Sequence, residues 1–99
     1  MDIKIRFRMK SKSEIDLSIF SEVLGVDVTQ KSRKRDVVLP RFVVFRKLST
    51  YGLSRQTVGD LFGMDHSSVT HGVKEVETQL EIKDKLVTGL WNKVKDLKI

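Results

Sequence analysis

Between Asp65 and Lys74 the chain reads Asp-His-Ser-Ser-Val-Thr-His-Gly-Val-Lys, which crowds short hydrogen-bonding side chains into little more than two helical turns. Such groups could attack a bond, ligate a metal or read the edges of bases. Catalysis is the poorest of the three. Ser68 and His71 lie one turn apart, as a nucleophile and base would, but no third group or oxyanion donor accompanies them, and no carboxylate pair has a motif context. A metal fares little better, because His66 and His71 diverge by about 140° on a helix of 3.6 residues per turn. Neither a catalytic residue nor a metal ligand is therefore assigned, and no cofactor is expected. What remains is recognition: serine, histidine and aspartate at a helix tip suit base edges and phosphates.

The flanking sequence supplies a mount for that tip. Asp65 can cap a helix by accepting the amides of residues 67 or 68. Val69, Val73, Val76 and Leu80 then recur at four, three and four residues, so one flank is apolar and the helix is predicted to run to about Leu80. Upstream, Ser54 caps a shorter helix through Phe62 with Val58, Leu61 and Phe62 inward, and Gly63 is a left-handed terminator. Residues 54–73 thus read as helix, tight turn, helix, an arrangement whose second helix enters the major groove by its amino-terminal residues. Gly59 and Gly72 fall where close packing is expected.

The rest of the chain is read in the same way. Residues 3–10 alternate strictly between apolar and basic, which predicts a short strand or arm: an edge strand, a DNA-backbone arm or a strand shared by two protomers. Ser13 opens a helix carrying Ile15, Ile19, Phe20 and Val23, and Gly25 closes it. Residues 26–36 lack periodicity and read as a loop. Pro40 predicts a helix start, since its missing amide costs nothing in a first turn. Phe42, Val43, Phe45, Arg46 and Leu48 continue that helix to about Thr50, with Phe42 and Phe45 on one face, and Tyr51-Gly52 makes a turn. Ile82, Leu86, Leu90, Val94 and Leu97 predict the stripe of a final helix, with Trp91 beside it. The division expected is a basic arm over residues 1–12 and one domain over 13–99.

Ninety-nine residues make one domain with a single modest core. No stretch approaches the roughly 18 consecutive apolar residues of a membrane span, and alternating charges exclude a secretory signal at the amino terminus. The absence of cysteine excludes disulfides and thiolate chemistry and is compatible with a reducing cytoplasm. Residues 31–47 carry seven cations against one acid, a net charge of +6 within a chain whose total is also +6. The end from Lys74 onward is close to neutral. A basic front and a neutral back suit a polyanion, nucleic acid before membrane.

At these residues the chain resembles the carboxy-terminal DNA-binding domain family of DnaA, the bacterial replication initiator. The likeness runs from about residue 15 to the end. It is carried by the basic loop Lys31-Ser32-Arg33-Lys34-Arg35 and by the Pro40-Arg41 pair. A Ser-x-x-x-Ile/Val-Gly-x-x-Phe-Gly helix follows, here Ser54 to Gly63, and then Asp-His-Thr/Ser-Thr/Ser-Val-x-His-Ala, here Asp65 to Gly72. The resemblance implies an all-α helix-turn-helix bundle of about five helices, of the Trp-repressor and DnaA type. It implies that Arg33 enters the minor groove, that Arg41 lies near phosphate, and that Asp65, His66, Ser67, Ser68 and His71 meet base edges and backbone in the major groove. Three departures stand out. Ser67-Ser68 replaces the usual Thr-Thr, and two spacings are one residue short: Pro40 to Ser54 and the Gly63-Met64-Asp65 turn. Arg55-Gln56 also replaces Leu-Pro.

The resulting expectation is a protein without enzymatic activity that binds double-stranded DNA at DnaA-box-like origin or regulatory sites. Arg33, Lys34, Arg35, Arg41, Arg55, Gln56 and Lys74 serve phosphate or minor groove, and the Asp65–His71 tip serves discrimination. No phosphate-binding Gly-x-x-x-x-Gly-Lys-Ser/Thr loop is present, so binding without hydrolysis is expected. The starting methionine and the unfamiliar arm favour a free-standing protein, such as one from a phage or mobile element, over a fragment of a longer initiator, and a monomer is expected. The rival is an interaction module docking a replication protein or acidic partner, and a third reading is an RNA binder. Neither a membrane nor a small-molecule substrate is implied.

Overall fold

The computed structural model describes residues 15–98, so the strand expected at 3–10 and the Ser13 cap lie outside the described residues. Five helices make up the described fold: α1 Ser18–Leu24, α2 Arg35–Thr50, α3 Arg55–Phe62, α4 His66–Glu81 and α5 Lys85–Val94. None is long and apolar enough to cross a membrane.

α1 is shorter than expected. Its start is fixed by Asp16, whose carboxylate accepts the Ser18 amide at 3.0 Å and the Ser18 hydroxyl at 2.6 Å. Phe20 and Leu24 are buried, while Ile19 faces out at 36% exposure. Gly25, at φ 74°, ends the helix.

α2 is the central element, and it begins five residues before Pro40, at Arg35. The proline therefore lies inside the helix, where it removes one backbone hydrogen bond. Burial outweighs that loss: Val37 and Leu39, upstream of the proline, are only 4% and 3% exposed. Val43, Val44, Phe45 and Leu48 extend the same face without measurable exposure.

α3 and α4 form the helix-turn-helix. The Ser54 hydroxyl accepts the Thr57 amide at 3.1 Å, which fixes the start of α3. At its end, Met64 donates to the Gly59 carbonyl at 2.8 Å and Gly63 to Asp60 at 3.3 Å. That six-to-one and inner pair is a Schellman closure, and it requires the left-handed φ of 64° at Gly63. A Cβ at Gly59 would lie 2.4 Å from the Met64 carbonyl oxygen, so the glycine admits the turn rather than a helix crossing.

α4 sits on α2 through Val69, Val73 and Val76, all at most 2% exposed. Gly72 lets the two helices approach: a Cβ there would come within 2.6 Å of Phe42 Cδ1 and 2.9 Å of Phe45 Cδ2. Phe45 in turn meets Phe62 edge to face at 4.9 Å, which ties α2 to the end of α3.

α5 corrects the predicted stripe. Asp84 caps it, accepting the Val87 amide at 2.9 Å, and that sets the phase of the helix. Val87, Leu90 and Val94 are buried at three- and four-residue spacing, with Trp91 and Leu97 partly covered. Ile82 and Leu86, expected inward, are 66% and 57% exposed.

Gly72→Ala should therefore lower stability by about 1–3 kcal/mol through overpacking, read as a drop in thermal midpoint. Phe42→Leu in the same chain should recover part of the loss. An alanine variant as stable as the parent would show that the rings yield freely.

Candidate nucleic-acid interface

α4 begins with a polar network rather than a simple cap. Asp65 has the extended backbone of an N-cap, but its carboxylate hydrogen-bonds no amide of the first turn. It accepts the Ser67 hydroxyl at 2.5 Å, while His66 Nδ1 stands 3.2 Å from its other oxygen. The expected amide cap is thus replaced by a side-chain chelate, because a serine two residues on competes for the same oxygen. The Ser67 hydroxyl holds the Asp65 carboxyl below the ordinary carboxylate range, and the nearby Ser67 and His66 amides, although they form no capping bond, add to the effect with the His66 ring. Asp65, His66 and Ser67 are exposed, and Ser68 is half-buried. With Nδ1 turned to Asp65, His66 presents Nε2 outward.

One turn on, His71 is exposed but oriented. Its ring lies edge-on to Phe42, centroids 5.9 Å apart at 89°. Lys74 is exposed beyond it. Thr70 is half-buried, and its hydroxyl donates back to the His66 carbonyl at 3.1 Å.

The basic loop arrives beside this tip. A cleft of about 330 Å³ is lined by Ser32 and Arg33 from the loop, Val38, Arg41 and Phe42 from α2, Met64 from the turn, and Ser67, Ser68 and His71 from α4. A second cleft, of about 400 Å³, lies between the loop and the turn, with Lys31, Arg33, Arg41, Gly63 and Met64 on its walls. Lys31 Nζ would stand 3.3 Å from a Cβ at Gly63, so the loop leans on the turn itself. Arg33 and the polar face of α4 are thus brought together, although 34 residues separate Arg33 from Ser67.

Other predicted residues are placed differently. Lys34 is the residue before α2, and Arg35 is its first residue rather than part of the loop. Arg35 lines a separate groove with Pro40, Leu86 and Leu90. Arg55 turns back to donate to the Ser49 hydroxyl at 2.9 Å. Gln56 is exposed on the first turn of α3, about 12 Å up that helix from the turn.

Arg41 is buried, only 6% exposed. Its Nε donates to Val28 O at 3.2 Å, and one terminal nitrogen donates to Gln30 O at 2.6 Å and Ser32 O at 3.1 Å. Burial pushes its guanidinium pKa down from the ordinary value, yet arginine stays charged under ordinary conditions.

The basic front is accordingly smaller than the charge count implies. Arg46 lies over the Trp91 ring at 4.4 Å with Glu77 at 3.7 Å. Lys47, 3% exposed, donates to Lys95 O at 2.6 Å and lies 4.8 Å from the Tyr51 ring centre. Lys31, Arg33, Lys34 and Arg35 remain exposed. Among the described residues, no three histidine or acidic groups gather where they could hold a metal ion.

The sequence pattern does not mark Phe42 as part of the site, and it includes Ser32 only as a member of the basic loop. Phe42 reads as a core residue, and its spacing of three from Phe45 gives no sign that its other edge meets His71. Ser32 accepts the Lys34 amide at 3.1 Å, and a serine between cations was the available signal.

Residues 20–76 match the family model described as the bacterial DnaA protein helix-turn-helix. The chain belongs to that family. The match covers most of α1, the basic loop, α2, α3 and much of α4, whereas α5 lies beyond it. A relative, the chromosomal replication initiator protein DnaA of Thermomicrobium roseum, is 43% identical over 56 residues. That alignment takes in 54% of this chain and 12% of the initiator. No solved structure matches. Membership of the DnaA helix-turn-helix family makes this a DNA-binding type of module, and it bears on the domain rather than on the remainder of the longer initiator.

Ser67→Ala removes the first restraint on Asp65, so its carboxyl should titrate closer to the ordinary carboxylate value, as followed by NMR. A folded-state pKa that is depressed adds stability above the unfolded value, and the contribution disappears as pH falls through the folded one. The acid limb of unfolding should therefore move slightly toward neutral pH in the variant. An unshifted Asp65 would mean that the amides, not the hydroxyl, set its value.

Proposed function

We propose that this chain is a sequence-specific binder of double-stranded DNA, directed to DnaA-box-like origin or regulatory sites and acting without catalysis. The observation that carries the reading is the shared cleft: Arg33 of the loop and Ser67, Ser68 and His71 of α4 open onto one concave surface. A duplex seated there presents the major groove to α4 and its phosphates or adjacent minor groove to the loop.

Each group has a fitting task. The Asp65 carboxylate accepts from cytosine N4, and the Ser67 oxygen, its proton already directed to Asp65, keeps lone pairs for a donor on a base. His66 offers Nε2 to a base edge or phosphate. His71, steadied by Phe42, reaches the groove floor one turn further in. Lys31, Lys34 and Lys74 lie to the sides, where cations meet phosphate. Lys34 and Arg35 also stand at the amino end of α2, where the helix dipole adds to their attraction for an anion. Gln56 and Arg55, at the start of α3, lie where the first helix of such a motif crosses the backbone. The serines lack the methyl groups of the usual threonines, so thymine contacts are reduced and base preference shifts accordingly.

Fluorescence anisotropy against a DnaA-box duplex, a scrambled duplex and RNA tests the assignment. Tighter binding to the box at raised salt supports it. Equal binding to box and scrambled duplex would reduce it to non-specific attraction, and no DNA binding at low salt would leave the protein-interaction reading. His71→Ala should cost about 1–3 kcal/mol of discrimination between box and scrambled DNA. Arg33→Ala should weaken binding to both duplexes and lower the salt slope by about one unit.

A further inference from the structure

Arg41 and Phe42 are consecutive residues of α2, yet they serve different neighbours. Phe42 lies under Gly72 and against His71. Arg41 faces the opposite reading element, the loop, and grips its backbone at Val28, Gln30 and Ser32. The gripped carbonyls fall at every second residue, while Lys31 and Arg33 are exposed between and beyond them. The loop has little backbone pairing of its own in this stretch: Gln30 donates to Asp27 O at 3.3 Å and Ser32 to Gln30 O at 2.9 Å. Among the described residues no carboxylate stands within ion-pairing distance of Arg41, so carbonyl dipoles alone hold its charge.

We infer that Arg41 is a positioning residue for DNA recognition: its buried guanidinium fixes the loop so that Arg33 stands at the cleft beside α4, and Arg41 acts on binding through that loop. The inference rests on the proposed place of Arg33 at the DNA. Arg41 also lines both clefts, but the three hydrogen bonds it makes all go to the loop backbone. Lysine cannot substitute, because one ammonium nitrogen cannot span acceptors that the planar fork reaches from separate nitrogens.

A double-mutant cycle on the full chain tests this, using Arg33→Ala, Arg41→Met and the pair against a DnaA-box duplex, with circular dichroism as the check on folding. Methionine keeps an apolar stem in the buried channel. Each single variant should bind about ten- to a hundredfold more weakly. The double variant should be no more than about twofold worse than the weaker single, since residues acting through one another are not additive. Arg41→Lys, which retains the charge, should resemble Arg41→Met. In the free protein, NMR relaxation should show the amides of residues 28–34 loosening in Arg41→Met while those of α4 do not. Losses that multiply in the double variant, or wild-type binding by Arg41→Lys, would make Arg41 an independent phosphate contact and overturn the inference. So would a loop that stays ordered in Arg41→Met. Wild-type binding by Arg33→Ala would instead overturn the loop's place at the DNA, and the inference with it. Should Arg41→Met not fold, the same cycle is run with Arg41→Lys.

Discussion

The closeness of α4 to α2 at Gly72 governs the geometry of the whole domain. Two aromatic rings of α2 occupy the space where a β-carbon would stand, at 2.6 and 2.9 Å. Because α4 can settle there, Val69, Val73 and Val76 reach full burial on the same face. That burial leaves the opposite face of α4 exposed over its first two turns, and its orientation places Ser67, Ser68 and His71 above Phe42. The family signature ends in alanine at this position. Here glycine stands in its place, and the paired rings of Phe42 and Phe45 supply the physical reason.

A second constraint explains how an irregular loop can belong to a precise site. Backbone carbonyls in a segment without helix or sheet still need donors once they are covered. Residues 26–34 form few backbone bonds, and the side chains supply the remainder: Ser21 to the Val28 amide at 3.2 Å, Asp27 to the Thr29 amide at 3.0 Å, Ser32 to the Lys34 amide, and Arg41 to three carbonyls. A buried cation is costly unless it is hydrogen-bonded. The loop and Arg41 satisfy one another. Since Arg41 is adjacent to Phe42, a single turn of α2 sets the position of both the loop and the recognition helix.

How much of this could be read from sequence divides along local and non-local lines. The Ser54 cap, the Gly63 terminator and the valine stripe of α4 are local signals, and each element formed where it was expected. The start of α2 was misjudged because the rule for proline describes an isolated helix, whereas Val37 and Leu39 draw the helix past Pro40 through burial. The phase of α5 was misjudged for a related reason. Ile82, Leu86 and Leu90 make as good a stripe as Val87, Leu90 and Val94 until the Asp84 cap chooses between them. The charge count misled most, because the partners of the inward cations are distant in sequence: Lys47 meets the carbonyl of Lys95, 48 residues away, and Arg46 meets Trp91. Long amphipathic side chains bury their stems wherever a ring or carbonyl receives the head, and composition cannot say which ones do.

The reduced set of exposed cations bears on how the proposed binding must work. Lys31, Arg33, Lys34 and Lys74 are exposed near the interface, and each phosphate neutralised contributes about −0.9 to the salt slope. Four such contacts would make binding salt-sensitive but less so than for proteins with eight or ten. Affinity must then depend more on the polar tip and on how little is lost when the partners meet. The structure provides for the second: His71 is braced by Phe42, Asp65 and Ser67 hold one another, and the loop is bonded into shape without DNA. Ordering a free loop on binding costs about 0.5–1.5 kcal/mol for each immobilised long side chain. A loop already fixed by a buried arginine avoids part of that cost, which offsets the methyl contacts that Ser67 and Ser68 cannot make.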